Sequence, residues 1–193
     1  TIVPWYADSI EYAAKQGLAV GIGSNGLALK KPTLERILPH LSYLRFNFSA
    51  GERKRYAEIM GVKQEWYDIV IQNIKDAMEI VRRDKLGCTV NMQLVCDPKD
   101  GDQLLPFAKL AKEIRPTYAI IKHCADNKEG TLGVDYTQYV DLYSIFDQIE
   151  AMSDSEFRIV VKRSRIENEG KREYTRCYGP PFIMQLSGNG LIA

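Results

Sequence analysis

Segments with helix periodicity alternate with short strand-like segments along nearly the whole chain. The helical segments are Pro4 to Lys15, Thr33 to Leu38, Glu65 to Arg83, Leu104 to Ile114 and Tyr139 to Ile149. The strand-like segments are Leu18 to Ile22, Tyr43 to Phe48, Thr89 to Val95, Tyr118 to Lys122 and Phe157 to Lys162. Strands that are separated by helices usually pair in parallel, so this order predicts an α/β fold with a parallel sheet and covering helices.

Two of the predicted strands are polar on one side only. In Tyr43 to Ser49, polar and apolar residues alternate, and Asn91 and Gln93 alternate with apolar neighbours in the next strand. Alternate residues of a strand point to opposite faces, whereas strands buried on both faces are nearly continuous in Val, Ile and Leu. The pattern predicts a partial (β/α) TIM-like barrel whose interior holds a polar ligand. The alternative is a polar sheet face in solvent.

Composition limits the classes of partner. The 26 basic and 25 acidic residues give a net charge of +1, which provides no basic field for nucleic acid. No apolar run reaches about 18 residues, so we expect no membrane span, and we expect a cytoplasmic location.

The four cysteines form no CxxC pair and do not indicate a disulfide framework. Cys88, Cys96 and Cys124 are expected to be buried thiols.

The stretch Gly21-Ile22-Gly23-Ser24-Asn25-Gly26 matches the pattern GxGxxG after a strand. This pattern raises the alternative of a dinucleotide-dependent α/β enzyme, in which the motif opens a helix and holds a pyrophosphate. Pro32 delays the next helix, however. The same residues also suit a strand that ends in a tight loop, where backbone amides and the Asn25 side chain meet a small ligand.

The order of these segments resembles the barrel of radical SAM enzymes over Thr1 to Lys162. Leu18 to Gly26 resembles the family's third strand, which ends in a tripeptide similar to Ser24-Asn25-Gly26. The following segments resemble its fourth, fifth and sixth strands: Tyr43 to Gly51, Thr89 to Pro98 and Tyr118 to His123.

The resemblance implies an activity and a set of binding residues. It implies an oxidoreductase that cleaves S-adenosylmethionine (SAM) reductively at a 4Fe–4S cluster. The resulting 5′-deoxyadenosyl radical would abstract hydrogen from a peptide or small-molecule substrate. An electron donor protein would be a partner. The residues expected to bind SAM are Ser24, Asn25, Asn47, Ser49, Gln93 and Lys122.

The last 27 residues resemble a further feature of the family. Cys177 is followed after twelve residues by Gly190, as at the start of the SPASM extension. The resemblance implies that Cys177 ligates an auxiliary 4Fe–4S cluster. We therefore expect a partial barrel over residues 1–166 and the start of a cysteine-rich extension over 167–193.

The family's Cys-x3-Cys-x2-Cys loop is not in this sequence, and residue 1 is Thr1. We expect an internal piece of a larger enzyme, inactive by itself because three thiolates of the catalytic cluster are missing. The alternative from another functional class is a complete, non-catalytic ligand-binding module of barrel type.

Overall fold

The computed structural model describes residues 3–126, 129–167 and 175–176. Its central element is a five-stranded sheet in which every neighbouring pair is parallel and the strands follow chain order. The strands are β1 (Val20–Ser24), β2 (Leu41–Asn47), β3 (Thr89–Cys96), β4 (Tyr118–His123) and β5 (Arg158–Val161).

Helices precede, connect and follow the strands. They are α1 (Tyr6–Lys15), α2 (Lys31–Ile37), α3 (Arg53–Met60), α4 (Glu65–Arg83), α5 (Leu104–Ile114), α6 (Tyr143–Glu150) and α7 (Arg163–Glu167). Short 3-10 helices span Leu38–His40, Pro98–Gln103 and Tyr136–Leu142. Among the described residues, no helix combines the length and apolar character needed to cross a membrane.

The strand order decides where the helices lie. Crossovers between parallel strands are right-handed. When each new strand pairs on the same side of the strand before it, every connecting helix therefore lies on the same face of the sheet. A doubly wound sheet reverses its order and is covered on both faces. The order β1 to β5 without reversal therefore gives one helix-covered outer face and one inner face. The parallel sheet with outer helices is confirmed.

The outer face holds the hydrophobic core. Leu44 and Phe46 of β2 and Val90 and Met92 of β3 are fully buried, together with Ile74 of α4. Burial of this kind is worth about 1.5–3 kcal/mol for each large apolar side chain.

Some boundaries differ from the sequence prediction. β1 begins at Val20 instead of Leu18, which is 63% exposed, because pairing with β2 starts only at Val20. α3 was not predicted because Tyr56 is its one buried residue, which leaves no apolar periodicity to detect. α7 was also missed. The proposed boundary at residues 166 and 167 stays a prediction because residues 168–174 lie outside the described part.

Candidate functional site

Polar side chains form two rows across the inner face. The strand register places Arg45 of β2 beside Gly23 of β1 and beside Asn91 of β3. Asn91 is in turn beside Tyr118 of β4. Laterally paired residues of parallel strands project to the same side of the sheet. The predicted one-sided polarity of β2 and β3 is therefore confirmed.

The second row lies two residues further along each strand. Asn47 of β2 pairs laterally with Gln93 of β3, which pairs with Ile120 of β4. The Gln93 Nε2 atom donates a hydrogen bond to Asn47 Oδ1 at 3.3 Å. This contact connects two of the residues that the sequence assigned to the SAM site.

A cavity of about 160 Å³ opens onto these rows, and we call it the inner cavity. Asn91 is 1% exposed and Gln93 is 7% exposed. The polar face at β3 is therefore buried, and the alternative of a face in solvent is wrong for these two residues. The residues that line the inner cavity are Tyr43, Arg45, Asn91, Gln93, Tyr118, Ile120 and Lys122.

Several polar atoms at the inner cavity have no hydrogen-bond partner in the described part of the chain. They are Asn91 Nδ2 and Oδ1, Arg45 Nε and Gln93 Oε1. Because both amide atoms of Asn91 are unpartnered, rotating its amide group would not change this finding. Leaving such an atom buried without a partner costs about 1–3 kcal/mol. Buried polar groups in proteins are almost always paired, so a ligand or ordered water belongs here.

Two glycines of β1 make room for the largest inner side chains. A Cβ atom on Gly21 would lie 1.9 Å from the Tyr43 ring. A Cβ atom on Gly23 would lie 2.8 Å from the Arg45 guanidinium. The first half of the GxGxxG pattern therefore provides space for Tyr43 and Arg45 to lie across β1.

Over the residues that the structure describes, no helix begins directly at the end of this motif, as a dinucleotide-binding site would require. The next helix, α2, begins at Lys31, five residues after Gly26. A pyrophosphate site needs the amides of a helix N-terminus directly at the motif. The geometry of Gly21 to Gly26 does not provide that arrangement.

The remaining predicted SAM-site residues lie in different places. Lys122 lines the inner cavity with Gln93. Ser49 is partly buried and follows the end of β2 by two residues. Ser24 pairs laterally with Phe46, which puts its side chain on the outer face, away from Asn47.

Ser24 and Asn25 have local roles in a turn. The Ser24 Oγ atom accepts a hydrogen bond from the Gly26 amide at 3.0 Å, and Asn25 Oδ1 accepts one from the Leu27 amide at 3.2 Å. Such bonds stabilise turns without any ligand. The structure therefore brings together Asn47, Gln93 and Lys122, but it does not bring Ser24 to them.

The loop after Ser49 is fixed by residues that sequence reasoning missed. Gln103 is fully buried, and its Oε1 atom accepts hydrogen bonds from the amides of Gly51 and Glu52, each at 3.2 Å. The Tyr67 hydroxyl donates to the Gly51 carbonyl at 2.6 Å. Gln103 lies in a polar stretch, Asp100 to Gln103, whose sequence gives no sign of burial.

The described cysteines are poor thiolate donors. Burial raises the pKa of Cys88 to about 11 and that of Cys96 to about 12, and it also raises the pKa of Cys124. Metal ligation needs the thiolate form. Within residues 3–126, 129–167 and 175–176, no three His, Cys, Asp or Glu side chains form a group that could hold a metal ion.

These described residues do not fit a 4Fe–4S cluster. Cys177 lies outside the described residues, and its assignment to an auxiliary cluster stays a prediction.

Comparisons with known proteins give a fold relationship. No family model matches the sequence, and no curated protein matches it. Among solved structures, Streptococcus suis SuiB bound to S-adenosylmethionine matches with a TM-score of 0.61 and 15% identity, over 81% of this chain and 36% of that chain. The chain thus spans about a third of SuiB.

Other solved structures share the fold. A domain of the pyruvate-formate lyase-activating enzyme from Bacteroides vulgatus ATCC 8482 matches with a TM-score of 0.56 and 10% identity, over 81% of this chain and 89% of that one. Archaeal TYW1 matches with a TM-score of 0.52 and 17% identity, over 79% of this chain and 48% of that one. These neighbours are radical SAM enzymes, and at such identities the likeness establishes a shared partial-barrel fold.

Proposed function

We propose that this chain is the SAM-holding part of a radical SAM enzyme. The observation that carries the proposal is the polar inner face, where Asn47, Gln93 and Lys122 come together near the carboxyl ends of the strands, in a sheet whose fold matches SuiB bound to S-adenosylmethionine. A face of this kind costs stability unless a polar ligand completes its hydrogen bonds. The sequence resemblance to the same family also supports the proposal.

In this proposal Asn47 and Ser49 contact SAM. Asn47 is the last residue of β2, and Ser49 lies in the loop that Gln103 and Tyr67 fix. Amides and hydroxyls supply the directional hydrogen bonds that ribose and methionyl groups need. Parallel-sheet enzymes bind ligands at the carboxyl ends of their strands, where both residues lie. The fixed loop would hold Ser49 in place before SAM arrives.

The chemistry itself belongs to the bound cofactor. SAM, when it is bound and reduced, supplies the group with which this family abstracts hydrogen from a substrate. The protein's own contribution is to orient SAM and to exclude water. We keep the peptide or small-molecule substrate, the electron donor protein and the cluster ligand Cys177 as parts of this proposal.

A binding measurement tests the proposal. SAM should raise the melting temperature of the chain, because a ligand that binds only the folded state stabilises it. Asn47→Ala and Ser49→Ala should each weaken SAM binding by about 2–10-fold, the equivalent of one lost hydrogen bond. Ser42→Ala is the matched control, since Ser42 is an exposed residue near the other end of β2.

The outcomes separate the parts of the proposal. Absence of SAM binding in the unaltered chain contradicts the proposed function. SAM binding that is the same in all three variants contradicts only the assignment of Asn47 and Ser49. In a preparation of the protein that holds the auxiliary cluster, Cys177→Ala followed by iron counting should show the loss of one cluster. Full retention of iron contradicts that role.

A further inference from the structure

The lining of the inner cavity carries positively charged side chains. Its seven lining residues include Arg45 and Lys122 and no Asp or Glu. Within the described residues, Arg45 takes part in none of the ion pairs. A partly buried guanidinium without a carboxylate partner is suited to an anion.

The unpartnered atoms also indicate which hydrogen-bond donors and acceptors the ligand must carry. Arg45 Nε and one amide position of Asn91 are donors, whereas the other amide position and Gln93 Oε1 are acceptors. A carboxylate accepts hydrogen bonds but donates none, so it can satisfy only the first pair. The acceptors need a donor close to the carboxylate. With the Arg45 guanidinium nearby, a neutral hydroxyl is favoured over an ammonium group, which this cation would repel.

The size of the inner cavity limits the part of a ligand that can lie inside it. Its volume of about 160 Å³ is enough for roughly five water molecules, at about 30 Å³ each in the liquid. That is the scale of a two- or three-carbon acid, well below the 300–1,000 Å³ typical of a whole cofactor site.

The row of Arg45 and Asn91 is displaced from Asn47 and Ser49, although Gln93 and Lys122 of the predicted SAM set also line the inner cavity. Arg45 and Asn91 precede Asn47 and Gln93 by two residues on the same strands. At about 3.3 Å per residue, their row is roughly 6–7 Å further from the carboxyl ends of the strands. Gln93 belongs to the second row, donates a hydrogen bond to Asn47 and lines the inner cavity, so it can contact both ligands.

We propose that the inner cavity binds a small 2-hydroxycarboxylate, with its carboxylate on Arg45 and Asn91 and its hydroxyl on Asn91 Oδ1 or Gln93 Oε1. The hydroxy acid is either free or the end group of a larger molecule. In the radical SAM enzyme, this group would be the part of the substrate that the inner cavity holds, and that role rests on the proposed function. Binding of the hydroxy acid itself does not depend on SAM chemistry.

The test is an NMR titration of the chain with glycolate. Glycolate carries both groups, acetate lacks the hydroxyl, and glycolamide lacks the charge. We expect saturable binding in the order glycolate, acetate, glycolamide. Arg45→Gln should weaken glycolate binding by about tenfold or more, because a charge-assisted hydrogen bond is lost.

Two further variants keep the test decisive. Arg158→Gln is the matched control, because Arg158 pairs laterally with Tyr118 in the same row but is exposed and does not line the inner cavity. It should bind glycolate as the unaltered chain does. Asn91→Leu should abolish binding, and circular dichroism verifies that it is folded. Unchanged glycolate binding in both Arg45→Gln and Asn91→Leu overturns the proposal, as does absence of saturable binding in the unaltered chain.

A competition experiment distinguishes the ligand from the methionyl carboxylate of SAM. Glycolate should remain bound when SAM or methionine is added. Displacement by either one assigns the inner cavity to SAM and overturns the proposal. Glycolate binding in a chain that does not bind SAM leaves this site standing while the proposed function fails.

Discussion

The two faces of β3 differ although they are built from the same eight residues. On the outer face, Met92 is fully buried among apolar neighbours. On the inner face, the adjacent residue Asn91 is almost as completely buried, yet neither of its amide atoms has a partner in the described part of the chain. The outer face stabilises the fold by burying apolar side chains. The inner face lowers stability, because it buries polar atoms whose hydrogen bonds only a ligand would complete.

The largest expected effect comes from removing outer-face packing. The Phe46 ring is fully buried, and it lies with Val70 of α4 against Gly26. Phe46→Ala should lower the free energy of unfolding by about 3–5 kcal/mol, because it removes apolar contact and leaves a cavity. Urea unfolding measures this value. A loss below about 1 kcal/mol would mean that the outer face is not the stabilising one.

A smaller loss should follow from breaking the anchor of the loop after Ser49. Gln103→Leu leaves the amides of Gly51 and Glu52 without their acceptor, at a cost of about 1–3 kcal/mol. Gln72→Leu is the matched control, because Gln72 is exposed on α4 and donates a hydrogen bond to the Asp76 side chain, so its change should stay within about 0.5 kcal/mol. Equal losses in the two variants would contradict the anchoring role.

Glycine substitutions compare a rigid neighbour with a movable one. A Cβ atom on Gly51 would lie 2.1 Å from the backbone nitrogen of Phe107, whereas the three atoms nearest to one on Gly21 all belong to the Tyr43 ring. Gly51→Ala should therefore cost about 1–3 kcal/mol. Gly21→Ala should cost less, since the Tyr43 side chain is 40% exposed and can move aside. A greater loss for Gly21→Ala in thermal unfolding would show that Tyr43 is held rigidly.

The prediction with the smallest effect near neutral pH is a dependence of stability on alkaline pH. Burial raises the pKa of Cys96 from 9.0 to about 12 in the folded chain. Between those values the unfolded thiol is ionised and the folded thiol is not, so fewer protons are bound in the unfolded state. Stability from this group is complete below about pH 9 and falls as pH rises toward 12. Cys96→Ala should show a shallower decline in urea midpoint over this range, and an identical slope would contradict the assignment.

Most of the fold could be predicted from the sequence, but only part of the candidate site could. α4 spans the predicted residues Glu65–Arg83 because a long apolar stripe is a local signal. The polarity of β2 and β3 was also a local signal, and it indicated Asn47 and Gln93 correctly as inner-face residues.

The remaining features depend on lateral register between strands distant in sequence. Alternation within one strand cannot show that Arg45 lies across Gly23, or that Ser24 is beside Phe46 on the outer face. The Gln103 anchor joins residues about fifty positions apart and leaves no periodic pattern. Such contacts follow from the assembled sheet, so sequence periodicity alone could not give them.

The free energy of unfolding of Asn91→Leu tests the central claim most directly, because leucine keeps the size of the side chain and removes its unpartnered polar atoms. If the inner face gives up stability for binding, the ligand-free variant should be as stable as the unaltered chain or more stable. Met92→Ala, the change at the adjacent outer-face residue, should lose about 2–5 kcal/mol under the same conditions. A loss of more than about 1 kcal/mol in Asn91→Leu would mean that this amide stabilises the fold itself, and it would contradict the account.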